Sequence, residues 1–180
     1  MRRFLLGALA ALASPFSARA QTEANPPDQI GRELRAMFLS IKAESLGIKP
    51  DTEYPRVFGV AMDWDIGEHI ATVVSLFDGS ASLYTTSTFG IIGGANNAYV
   101  VTAAQHFVKV ADRYFSDTTV TTTHPYPGKD KICFYLLAFD GLRTVETDAA
   151  PVYSGSGKFS LLFGAGQDVL TELRKVTENQ

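Results

Sequence analysis

Apolar positions recur at Ile30, Leu34, Met37, Phe38, Ile41 and Leu46, the spacing of an amphipathic helix. Asn25 is placed to cap it, prolines occupy its first positions, and Asp28 lies near the positive end of its dipole. Gly47 is its natural stop. The pattern then changes period. Phe58, Val60 and Met62 alternate with Gly59 and Ala61, giving a strand with one bulky and one small face. A β-branched run from His69 to Phe77 ends in Asp78-Gly79, and Ala81–Thr88 forms the next strand, so the Asp-Gly pair predicts a hairpin. A second helix opens near Asn96 or Asn97 and carries Val100, Ala104, Phe107, Val108, Ala111, Tyr114 and Phe115 on one stripe.

Threonines from Thr118 to Thr123 suit a short edge strand that Pro125 and Pro127 end. Lys131–Phe139 is the most apolar strand, and Asp140-Gly141 turns it into Leu142–Thr147. Asp148–Lys158 reads as a surface loop. A last helix carries Leu161, Leu162, Val169, Leu170, Leu173 and Val176, with a break expected at Gly164–Gly166. The order is α-β-β-β-α-β-β-α. Two hairpins require a mostly antiparallel sheet covered by helices on at least one face. If the second strand pair joins beside the first strand, the result is a five-stranded α+β sandwich of profilin-like or roadblock-like form.

The first twenty residues stand apart from this pattern. Arg2 and Arg3 precede an apolar stretch, Phe4–Ala13, and Ala18-Arg19-Ala20 has the small-x-small form of a cleavage site. These features predict a signal peptide over residues 1–20 and a single α+β domain over 21–180, exported to the periplasm or beyond. No later apolar run reaches the length of a membrane span. The chain carries a net charge of −3, and the leader holds three arginines and no acids, so the mature domain is more acidic still. With no basic cluster, the composition argues against nucleic acid or anionic membrane as a partner. The single cysteine, Cys133, excludes an intrachain disulfide and sits in an apolar strand as a small buried hydrophobe.

Chemistry concentrates in one segment. Between strand and helix, Gly90, Gly93 and Gly94 interrupt the chain, and bare backbone N–H groups at a helix start can cradle an anion. Thr86, Ser87 and Thr88 add hydroxyls, and Asn96 and Asn97 add amides. The segment matches neither dinucleotide nor phosphate-loop motifs, and an architectural turn is its ordinary meaning. Asp63, Asp65, Glu68 and His69 gather around Trp64, but without calcium-loop spacing they read as a solvated hairpin tip, so no metal site is expected. His106 and His124 are the remaining histidines. No nucleophile elbow or zinc-protease helix accompanies them, and no cofactor is implied.

Val57–Asp63, Ala71–Gly79, Ser82-Leu83-Tyr84, Gly90–Gly94, Phe139–Thr144 and Ala165–Val169 together resemble a family of small bacterial proteins without assigned function. The likeness runs from about Arg56 to Val176. It implies a shared fold that includes the glycine loop, and it transfers no catalytic residue. The expectation is an exported binding or interaction domain that takes a small anion at the glycine loop or a protein partner, including a second copy as a homodimer. The alternative is an enzyme using a pocket beside Gly90–Asn97 with His106 or His124.

Overall fold

A computed structural model describes residues 27–87, 89–93 and 96–178. The expected leader and cleavage site, Asn25, Thr88 and Gly94 lie outside the described residues. The first helix, α1 (Pro27–Leu39), is shorter than its apolar pattern, and the rest of that pattern winds into a 3-10 turn at Ala43–Leu46. Gly47 closes the turn at φ +67°, donating its N–H to Glu44.

Seven strands follow, not five: β1 (Val57–Asp65), β2 (Ile70–Leu76), β3 (Ala81–Thr85), β4 (Ile91–Ile92), β5 (Thr119–Val120), β6 (Lys131–Ala138) and β7 (Gly141–Asp148). They form one sheet in the order β4-β3-β2-β1-β6-β7-β5, with every pairing antiparallel. The five longer strands are those the alternation marks. The two additions are edge strands of two residues each, too short to show a period. Both Asp-Gly pairs turn their hairpins, with positive φ at Gly79 and Gly141.

The remaining helices are α2 (Ala98–Arg113), α3 (Ala149–Tyr153) and α4 (Ser160–Glu178). α3 lies where a loop was expected, and α4 runs unbroken through Gly164 and Gly166. Gly166 has a packing reason: a Cβ there would press on the side chains of Met62 and Phe107. α2, α3 and α4 cover one face of the sheet around Val60, Met62, Val73, Leu83, Phe134 and Leu136. The opposite face carries α1 and the 3-10 turn over Phe58, Ala61, Val74, Tyr135 and Leu137. β1 is the middle strand and is buried from Val57 to Trp64.

α1 departs from its sequence stripe. Ile30 and Met37 are exposed, whereas Arg35 is buried. Gly31 permits the close approach, because a Cβ there would collide with the Thr85 carbonyl of β3. Gly31→Ala is expected to lift α1 from β3 and cost about 1–3 kcal/mol, read as a lower urea midpoint at unchanged slope.

Candidate functional site

Several described polar groups of the glycine segment are paired within the fold. Thr86 donates its N–H to the Ile70 carbonyl at 3.0 Å, and its hydroxyl accepts from Ile70 N–H at 2.9 Å. Ser87 Oγ is 2.7 Å from Thr85 Oγ1, which donates to the Phe89 carbonyl. Gly93 N–H donates to Ser82 Oγ at 3.3 Å, and Gly93 takes φ +79° to turn the chain out of β4. Gly90 lies close over β3, where a Cβ would be 3.1 Å from the Leu83 carbonyl. Asn97 is the N-cap of α2, its side-chain oxygen accepting from Tyr99 N–H (2.9 Å) and Val100 N–H (3.3 Å). Asn96 is exposed in the preceding turn. The adjacent cleft, about 160 Å³, is lined by Ile30, Gly31, Leu34, Tyr84, Thr85, Ser87, Phe89, Gly90 and Ile92. Neither His106, exposed on α2, nor His124 lines it.

The acidic turn also divides. Glu68 and His69 belong to a solvent-facing connection and Asp65 ends β1 half-buried, but Asp63 and Trp64 are buried within β1. This corrects the solvated-tip expectation for those two residues. Trp64 packs edge-on against Phe163 of α4 at 6.3 Å. Asp63 points to the other face, beneath α1. Among the described residues, no group of three or more His, Cys, Asp or Glu side chains is placed to hold a metal ion.

Beneath α1 lies a polar centre that sequence patterning did not isolate. Arg35 Nε donates to both oxygens of Asp63, at 3.1 and 3.0 Å, and Nη2 donates to Oδ2 at 2.5 Å. Thr72 Oγ1 on β2 donates to Asp63 Oδ1 at 2.6 Å. The rest of the guanidinium reaches the chain beyond β5: Nη1 donates to the His124 carbonyl (2.9 Å) and Nη2 to the Pro125 carbonyl (3.2 Å). Tyr135 hydroxyl also donates to Pro125, at 2.6 Å. The Tyr126 ring lies 4.2 Å from the guanidinium carbon, an arrangement that favours the cation. Burial pushes the Asp63 carboxyl up, against the opposing pull of Arg35 and Thr72. Burial alone would lower Arg35, yet bonding to Asp63 holds it above its ordinary value. Cys133 lies nearby, and burial raises its thiol, so it stays protonated.

A cleft of about 510 Å³ opens beside this centre. One wall is Leu39–Glu44, the continuation of α1. The other is Thr121, Thr122 and His124, and the floor is the β6–β7 hairpin from Leu137 to Leu142. Thr121 N–H donates to the Leu142 carbonyl at 2.8 Å, fixing one end of the second wall, while Arg35 fixes the other. Lys42 and Glu44 stand on the rim and form no ion pair among the described residues, and Asp140 is held by Arg143 at 2.7 Å. One guanidinium therefore ties both walls to the central strand.

Comparisons with protein-family models, with curated proteins and with solved structures found no match.

Arg35→Met or Asp63→Leu alone leaves a buried charge unpaired and is expected to cost about 3–5 kcal/mol in urea unfolding, whereas the double replacement recovers much of that loss. Asn97→Ala is expected to cost about 1 kcal/mol by removing the α2 cap, measured the same way.

Proposed function

We propose that the protein is an exported binding domain whose ligand is a small organic acid with an apolar body, held in the cleft between Leu39–Glu44 and Thr121–His124. The observation that carries this reading is the tethering of both cleft walls by Arg35. A buried ion pair is seldom the most stable filling for a core, but it fixes geometry in several directions at once. Here that geometry belongs to the cleft. Leu39, Leu137 and Leu142 offer apolar surface, Lys42 offers a charge to an acid group, and Glu44 favours a ligand that also carries a hydrogen-bond donor.

Several features support the wider reading. The Met1–Ala20 leader supports export from a bacterial cell, with the periplasm or the extracellular space as destination. Helices on both faces of an antiparallel sheet support a profilin-like or roadblock-like sandwich, and the resemblance from Arg56 to Val176 supports kinship with the small bacterial family. The glycine loop is the competing place for an anion. It is less favoured because the hydroxyls of Thr86 and Ser87 and the side-chain oxygen of Asn97 already have partners.

Thermal-shift screening and calorimetry with a panel of small hydroxy, amino and aromatic carboxylic acids tests the reading. A bound acid is expected to raise the melting temperature by several degrees at saturation. Lys42→Glu should weaken it by tenfold or more, on the order of 1.4 kcal/mol, while Ser87→Ala leaves it unchanged. Loss of binding in Ser87→Ala with Lys42→Glu unaffected would move the site to the glycine loop and overturn the assignment. Failure of every acid in the panel would also count against it.

A further inference from the structure

The two edges of the sheet are built differently. At one edge, β5 is flanked by Asp117, which pairs with Lys158 at 2.6 Å, and is followed by Pro125 and Pro127. Charge and proline are the usual means of keeping an open edge from pairing with another chain. The opposite edge has neither. From Gly79 to Val108 the sequence contains no Asp, Glu, Lys, Arg or Pro, although charged residues make up 19% of the chain. β3, β4 and the glycine loop all fall within that span.

The same edge gathers exposed apolar side chains. Ile92 of β4 is 70% exposed, Phe89 53% and Ile30 of α1 46%, and all three line one cleft. That cleft shares Leu34 and Tyr84 with a second groove of about 290 Å³, at whose margin Met37 stands 65% exposed. Among the described residues no charged side chain lines either groove, and β4 pairs with β3 alone, so its outer backbone groups face away from the sheet.

We propose that this face joins two copies of the chain, with β4 pairing with β4 of the second copy about a two-fold axis and the α1 side chains packing alongside. Charge decides for a second copy over a different protein. Two identical acidic molecules repel at most faces; along β3 and β4 no like charges oppose one another, and the charges of α1 nearest the contact, Arg32 and Glu33, are exposed at its margin. A two-fold axis also makes the contact self-complementary, setting the exposed ridge of Met37 and Ile30 against the partner's groove. Area is consistent with this. Ile30, Met37, Phe89 and Ile92, each about half exposed or more, supply apolar surface to the ~800 Å² that each partner buries in a standard interface. Gly93 turns the chain out after two residues, and the guarded β5 edge offers no second site, so the assembly closes at a dimer.

Light scattering and sedimentation velocity on the protein produced from its full-length coding sequence test the proposal. The expected result is a concentration-dependent dimer. Ile92→Lys should raise its dissociation constant by about a hundredfold. Met37→Glu, on α1 and away from the strand, should weaken it by about tenfold or more, with circular dichroism showing both variants folded. If Ile92→Lys fails to fold, Met37→Glu decides. A strict monomer at the highest concentration, a dimer indifferent to the folded variants, or an open-ended assembly would each overturn the proposal.

Discussion

The Arg35–Asp63 pair is the constraint on which the α1 side of the molecule depends. Asp63 sits at full burial on the middle strand, where a carboxylate is tolerated only if its oxygens are satisfied. Arg35 and Thr72 satisfy them. The guanidinium in turn reaches the carbonyls of His124 and Pro125, so a single side chain connects a helix, the central strand and an irregular segment. An apolar substitute of the same volume would hold none of these in a fixed relation. Tyr126 and Tyr135 lie over the same cation and complete the enclosure.

That arrangement gives the two faces different characters. On the α2–α4 face, packing is mainly apolar, with Phe107, Phe134, Met62 and Leu162 fully buried and the Ser75 hydroxyl among them. On the α1 face, a smaller apolar cluster is supplemented by the polar centre, and the clefts open at its margins. A helix held by one directional interaction and a thin apolar layer leaves concave surface on both sides. The larger opening is walled by segments that Arg35 ties down. The narrower one runs along the charge-free edge and suits contact with another surface.

Much of this was legible in the residues, and the failures have physical causes. The five longer strands and both hairpins follow from alternation and from Asp-Gly turns, because those signals are local. β4 and β5 escape because two residues carry no period. The short α3 escapes because Ala149, Ala150 and Pro151 sit in a stretch whose composition suits a loop, although Asp148 before them can open a helix. Asp63 looked like part of a solvated acidic tip because Asp65 and Glu68 follow it. Its position in the alternation of β1, matched by Thr72 at an inward place on β2, was the available sign of a buried polar pair. Arg35 between Leu34 and Phe38 was the other half of that sign. Pairing them requires knowing that α1 lies on the face of the sheet towards which Asp63 points, which no local pattern states. The glycines were legible as a turn, and the structure adds how fully the polar groups of that turn are engaged.

Arg35→Lys offers the most direct measurement, because lysine keeps the charge and removes the fork that reaches two carbonyls. Amide hydrogen exchange would be followed in α1 and at Thr121, Thr122, His124 and Tyr126, in the native protein and in the variant. Faster exchange in both segments together, with the α2–α4 face unchanged, is the expected result. Unchanged protection at Thr121–Tyr126 in a variant that has loosened α1 would contradict this by showing that the guanidinium does not hold the cleft wall.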